Sequence, residues 1–161
     1  MPDSLPKGAL RVQRFLASKN SKAQVQMLPD TTATAKDAAS QLGVKLHQIG
    51  KSIVFGSGSE VIIAVVCGDK RINTDIISKA LKINEIGLLK ASEVQQSTGF
   101  VIGGVSPFDL PSEFTIIIDS GLHNQSDCFV AVGHPKAVVK TSGREIVAIT
   151  NATIIPITGP A

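Results

Sequence analysis

Apolar side chains recur along this chain with two different periods, and the switches between them mark its elements. From Ser4 to Lys19, the residues Leu5, Ala9, Leu10, Val12, Phe15 and Leu16 return at roughly helical spacing, which predicts an amphipathic helix with Asp3 or Ser4 as its N-cap. From Ala23 to Leu28 the period falls to two, Val25 and Met27 alternating with Gln24 and Gln26, as in a half-buried strand that ends at Pro29-Asp30. Thr34 is placed to cap a second helix running through Leu42, and Gly43 to stop it. Ser52–Phe55 and Glu60–Cys67 then read as two strands of a hairpin, joined by Gly56-Ser57-Gly58-Ser59.

Beyond the hairpin, Asn73 or Thr74 predicts the start of a helix reaching about Leu81, and Ser92–Ser97 a short one ended by Gly99. Strand patterns return at Thr115–Ile118, Phe129–Val132 and Ala137–Lys140. Ser142 with Glu145 three residues later has the spacing of a capping box for a final short helix. Hairpin-like pairs set among helices predict an α/β chain of the α+β type, with a mixed, mainly antiparallel sheet surrounded by helices. No repeat or low-complexity linker interrupts the pattern, so residues 1–161 read as a single domain.

Composition narrows the classes. Hydrophobic residues make up 43% and charged residues 18% of the 161, which argues for a packed core and against disorder. The longest apolar stretch, Val61 to Cys67, falls far short of the ~20 residues that cross a bilayer, and the N-terminus has no apolar signal core; a cytoplasmic protein without membrane contact is the expectation. Sixteen Lys and Arg against thirteen Asp and Glu leave +3, which permits contact with nucleic acid without requiring it. With neither Trp nor Tyr and only six Phe, the chain lacks the platforms that stack several bases, so any RNA contact should be local. Cys67 and Cys128 lie in apolar runs where free buried thiols are common, and two cysteines make no disulfide framework.

Four places carry candidate chemistry. Lys51 stands directly before the apolar run Ser52–Phe55, where an ammonium is either a solvated strand flank or a charge aimed into a cleft. Gly103 and Gly104, followed by Val105-Ser106-Pro107, form either a tight turn or a loop presenting successive N–H donors to a carbonyl oxygen on which charge develops. Asp119 follows a strand and precedes Ser120-Gly121, where it caps a turn or faces a site. His134, between Gly133 and Pro135, is a surface histidine or a substrate contact; with no second His or Cys at ligand spacing it makes no metal site. Around Ser106 the residues Pro107 and Phe108 break the G-x-S-x-G elbow, and neither a P-loop nor a G-x-G-x-x-G turn is present.

Thr34–Gly43 with Val44–Phe55, Cys67-Gly68-Asp69-Lys70-Arg71-Ile72, Ser97-Thr98-Gly99 leading into Gly103–Pro107, Ile116–Asp119 and Val130–Pro135 together resemble the YbaK/ProX family, from roughly Leu10 to Ile149. Members are similar to the editing domain inserted in bacterial prolyl-tRNA synthetases, and freestanding ones deacylate mischarged tRNA in trans. The resemblance places the family's key lysine at Lys51 and its G-x-x-x-P loop at Gly103–Pro107. It thereby implies catalytic roles for Lys51, Gly103 and Gly104, and substrate contacts for Val105, Ser106, Pro107, Asp119 and His134.

The implied route is hydrolysis of an aminoacyl-tRNA ester, assisted by the terminal ribose hydroxyl, with no metal or organic cofactor. Lys51 either anchors the terminal nucleotide or stabilises developing charge. The implied partners are the acceptor end of an aminoacyl-tRNA and prolyl-tRNA synthetase. Alanine or cysteine on tRNA(Pro), or a seryl or threonyl ester, remain open as substrates, since one methylene of pocket volume is worth about 1–3 kcal/mol. Two other readings compete: a non-catalytic module that binds tRNA or a synthetase, and a thiol hydrolase using Cys67 or Cys128, although neither has a basic partner beside it in sequence.

Overall fold

A computed structural model describes residues 5–32 and 34–159. Helix α1 (Lys7–Ser18) follows Pro6 and buries Ala9, Val12 and Leu16, a stripe at i, i+3 and i+7. The expected caps Asp3 and Ser4 lie outside the described residues; within them, Pro6 occupies the N-cap without a side-chain bond. The strand expected over residues 23–28 shrinks to β1 (Gln26–Met27), with both residues exposed. The alternation holds through the half-buried Ala23 and Val25, then breaks, because Leu28 takes the buried place instead of Met27 and its N–H bonds the Lys136 carbonyl.

The local stop and start signals act as the sequence indicates. Helix α2 (Ala35–Leu42) has a reciprocal capping box, in which Thr34 Oγ1 accepts from the Asp37 N–H and Asp37 Oδ2 accepts from the Thr34 N–H. It ends at Gly43, whose φ of +67° is the left-handed conformation glycine adopts without steric cost. A single 3-10 turn (Leu46–Gln48) leads into β2 (Ile49–Ser57), which pairs antiparallel with β3 (Glu60–Cys67) around the Gly58-Ser59 turn. Helix α3 (Thr74–Leu81) is capped by Asn73. Strand β4 (Gly87–Leu88) and helix α4 (Ala91–Thr98) follow, the latter closed by Gly99.

Strand β5 (Thr115–Asp119) is followed by the short helix α5 (Ser120–His123), and β6 (Cys128–Ala131) pairs antiparallel with β7 (Ala137–Thr141). Ser142 caps helix α6 (Gly143–Thr150) as expected, but Glu145 does not close the box: its carboxylate accepts from Thr141 and Ser21 instead. Strand β8 (Thr153–Ile155) completes an eight-stranded sheet among the described residues, ordered β1-β7-β6-β2-β3-β5-β8 with β4 on the free flank of β2. Four neighbouring pairs are antiparallel, and β2–β6, β3–β5 and β5–β8 are parallel. The sheet is therefore mixed and mostly antiparallel.

The apolar run Val61–Cys67 is explained by burial on both faces of a central strand. Ile63, Val65 and Cys67 pack with α1, α4 and Phe100, while Ile62 and Ala64 pack on the opposite face with Ile77 and Ile157. A third, smaller cluster joins Ala38 and Ala39 of α2 to Ile49. Burying a side chain such as Leu16 or Ile63 completely contributes about 1.5–3 kcal/mol each, so these layers hold the sheet rigid beneath its loops. Among the described residues, no helix is long and apolar enough to cross a membrane.

Candidate active site

The site begins with a gap in the sheet. On one flank β2 is covered by β3 along its length, but on the other β6 reaches only Ile49 and Gly50, and β4 only Phe55 and Gly56. Because the hairpin closes on the pair Ser57 and Glu60, alternate residues of β2 turn their peptide groups toward β3, and the rest turn them outward. The Gly68 N–H bonding Ile49 O and the Leu89 N–H bonding Val54 O fix which residues face which way. Ser52 thus presents its N–H and carbonyl to the uncovered flank. Its hydroxyl is buried and has no partner among the described residues. A buried polar group without a partner is rare, and here it belongs to a residue that lines a cleft.

That cleft has a volume of about 640 Å³, within the range typical of small-molecule sites. Its floor is the Ile49–Val54 stretch of β2. One wall is α2 with Thr32 and Thr34; another is formed by Val94, Gly103 and Val105. Leu88 and Ile102 make an apolar rim, 70% and 56% exposed. Lys36 and Lys51 both line the cleft, and the Lys51 ammonium donates to the Lys70 carbonyl at 3.0 Å.

The glycine loop divides the roles expected of its members. Val101–Gly104 is a tight turn closed by the Gly104 N–H on the Val101 carbonyl at 2.9 Å, with Gly103 at φ +90°, the position that requires glycine in a type II turn. Gly103 and Val105 line the cleft, and their N–H groups have no partner among the described residues. Gly104 lies behind them. It is buried, its amide is already bonded and its φ is not positive, so it is not the second donor that the sequence suggests. Glycine is needed there for space: a Cβ would stand 2.8 Å from the His134 backbone nitrogen.

Ser106, Pro107, Asp119 and His134 likewise fall outside the cleft lining. Ser106 is fully buried and its Oγ accepts from the Phe108 N–H, closing the loop's exit. Pro107 is buried beside it. Asp119 is 3% exposed, with one carboxylate oxygen accepting from Gly121 and the other from Ile157, so it is a turn cap that also ties down the C-terminal segment. His134 Nδ1 accepts from the Lys136 N–H in the turn whose next residue, Pro135, receives two bonds from Thr32. That turn sets the cleft wall before α2 without touching the cleft itself.

Neither cysteine is suited to attack an ester. Cys67 and Cys128 are buried, and burial, reinforced by Asp69 beside Cys67 and by Cys67 near Cys128, pushes their thiols up to about 11 and about 12. At neutral pH both stay protonated, and a thiol is a poor nucleophile. Neither lines the cleft, and among the described residues no group of three or more His, Cys, Asp and Glu side chains gathers as a metal site would.

Sequence reasoning missed Ser52, although a hydroxyl in the apolar strand beside Lys51 was a readable signal. It also missed the cleft rim at Leu88, which lies in a strand too short to show a period.

Known proteins of this shape place the site in context. Residues 29–149 match the aminoacyl-tRNA editing domain. Protein YwhH of Bacillus subtilis, itself uncharacterized, is 30% identical over 136 residues, 84% of this chain and 86% of that protein. EbsC of Enterococcus faecalis, provisionally named a Cys-tRNA(Pro)/Cys-tRNA(Cys) deacylase, is 23% identical over 126 residues, 78% of this chain and 77% of its own length. A crystal structure described provisionally as a trans-editing enzyme for prolyl tRNA synthetase superposes with a TM-score of 0.90 at 29% identity, covering 98% of this chain and all of that one. The fold that frames the open flank of β2 is thus a shared one, and this chain belongs to the aminoacyl-tRNA editing domain family.

Proposed function

We propose that this protein acts in trans as a deacylase, hydrolysing the ester of a small amino acid wrongly attached to a tRNA, with tRNA(Pro) as the foremost candidate. The supporting observation is the uncovered flank of β2, which brings Ser52 and Lys51 to the same cleft as Gly103 and Val105, whose amides have no partner among the described residues.

In the reaction, water adds to the ester carbonyl carbon, the carbon–oxygen bond to the terminal ribose breaks, and the ribose oxygen takes up a proton. Amides fixed near the carbonyl oxygen stabilise the negative charge that develops there, and being preorganised they need no rearrangement in the transition state. The Gly103 amide, held at the apex of its turn, suits that role. The family resemblance assigns the neighbouring ribose hydroxyl the task of orienting the water, which agrees with a cleft whose lining, among the described residues, has no Asp, Glu, His or Cys to serve as a base or nucleophile. Lys51 and Lys36 supply charge for the terminal phosphates, and aliphatic walls at Val54, Val94 and Val105 suit a small side chain.

The test is a deacylation panel with tRNA(Pro), tRNA(Ala) and tRNA(Cys), each charged with Pro, Ala, Cys, Ser or Thr, at limiting enzyme. Turnover of a small noncognate amino acid on tRNA(Pro) is the expected result. Binding of these tRNAs without turnover of any ester would instead return a non-catalytic tRNA- or synthetase-binding module.

A further inference from the structure

The loop that carries Gly103 is gripped at both ends by one side chain from a helix that never reaches the cleft. Arg11, on α1, donates from Nε to Asp109 Oδ2 at 2.6 Å and from Nη2 to the Asp109 carbonyl at 2.6 Å. Its remaining nitrogen, Nη1, donates to the Thr98 carbonyl at 3.3 Å, and the guanidinium carbon lies 4.2 Å from the centre of the Phe100 ring. Thr98 and Phe100 open the loop and Asp109 closes it.

The loop is shaped to receive this grip. A Cβ on Gly99 would stand 2.7 Å from Arg11 Nη1, so glycine leaves room for the guanidinium beside the backbone. Asp109 is held at φ +59°, a left-handed conformation uncommon outside glycine, and Arg11 bonds it through both its carboxylate and its carbonyl. Between these ends, the turn at Gly103, the Gly104 carbonyl accepting from Gly133 and the Ser106 cap on Phe108 fix the interior. The ion pair is about one-third exposed on each side, so simple charge attraction contributes little. Geometry is what the planar fork adds: one guanidinium reaches two carbonyls, a carboxylate and a ring face together, and an ammonium cannot.

We infer that Arg11 is a positioning residue for the Gly103 loop, setting the unpartnered Gly103 and Val105 amides at the cleft by cross-linking Thr98–Phe100 to Asp109. The inference rests on the hydrolytic reading above for its consequence in catalysis, but not for its structural content.

The experiment compares Arg11→Lys, Arg11→Met and Asp109→Asn with the wild-type protein by three measurements. Amide hydrogen exchange is followed at the bonded loop amides of Gly104 and Phe108, and at Ile63 and Val65 in the core. Single-turnover hydrolysis and tRNA affinity are measured beside it. The expected result is exchange at Gly104 and Phe108 faster by about tenfold or more with the core unchanged, hydrolysis slower by about tenfold or more, and tRNA affinity within about twofold. Arg11→Lys should fare no better than Arg11→Met. Unchanged loop exchange in all three variants, rescue by lysine, or equal acceleration in loop and core would overturn the inference. Should the wild-type protein hydrolyse no aminoacyl-tRNA, the functional reading fails by itself, and loop exchange still decides whether Arg11 holds the loop.

Discussion

The Lys51 ammonium rests 3.0 Å from the Lys70 carbonyl, a neutral acceptor, and its charge has no carboxylate partner among the described residues. Among the described residues its only bonded partner is a backbone carbonyl, so removing the ammonium leaves no buried charge unpaired. Lys51→Ala should keep the wild-type circular dichroism spectrum and melt within a few degrees of it. Deacylation should fall by about a hundredfold or more if the ammonium faces developing charge. Near-normal turnover by the folded variant would remove Lys51 from the mechanism.

Gly103 and Gly104 should fail for different reasons. Ala at Gly103 must adopt φ +90° at an exposed turn that lines the cleft, a local strain that displaces its amide. Ala at Gly104 meets the His134 backbone at 2.8–3.0 Å on three atoms, so two packed loops must separate. Gly103→Ala is therefore expected to slow single-turnover hydrolysis while costing about 1 kcal/mol of stability. Gly104→Ala should cost about 1–3 kcal/mol and weaken hydrolysis and tRNA binding together. Denaturant melts paired with the two activity measurements separate them; a fully stable Gly104→Ala protein contradicts the packing argument.

How far the sequence speaks is visible at these same positions. Caps are local, and Thr34, Gly43, Asn73, Gly99 and Ser142 all act where their spacing places them. Strand pairing is not local: β4 is two exposed residues, and β8 earns its place only by pairing with β5. Met27 shows the same limit, since the burial of Leu28 is decided by Lys136 more than a hundred residues away. At the candidate site, Lys51 and Gly103 stood out because one precedes an apolar run and the other begins a glycine pair. Which glycine of the pair takes positive φ, and whether Asp119 caps or contacts substrate, depended on His134 and Ile157 across the fold.

The two thiols give stability a pH dependence of known sign. Both are raised from an ordinary 9.0, chiefly by burial, so the fold prefers them protonated. Below pH 9 they are neutral folded or unfolded, and their contribution is fully present. As pH rises through 9 the unfolded chain loses these protons first, and the contribution is lost progressively up to the folded values of about 11 and about 12, on the order of 5 kcal/mol in total. With no tyrosine in the chain, a competing phenol titration is absent from this window. Urea midpoints should therefore drop between pH 9 and 11, and the Cys67→Ala/Cys128→Ala double variant, less stable at pH 7 from lost packing, should show a flatter profile. It should also retain hydrolysis at pH 7. An inactive but folded double variant would return the chemistry to a thiol.

Ser52 offers the sharpest separation of stability from function. Its buried hydroxyl bonds nothing among the described residues, so deleting it removes a desolvated group without breaking an internal contact. Ser52→Ala should therefore be neutral or stabilising, by up to about 1 kcal/mol. Most polar-to-alanine changes that harm an enzyme harm its fold as well; this one should not. If the hydroxyl and the outward Ser52 peptide meet the aminoacyl group on the open flank of β2, single-turnover hydrolysis should fall about tenfold in Ser52→Ala and in the isosteric Ser52→Cys. Ser52→Thr should keep the polar contact and lose rate only as its extra methyl narrows the cleft, most for the bulkiest acyl groups. Rates for alanyl, cysteinyl and seryl esters measured beside urea melts decide the point. A serine-to-alanine protein that is both more stable and fully active would remove the hydroxyl from the mechanism.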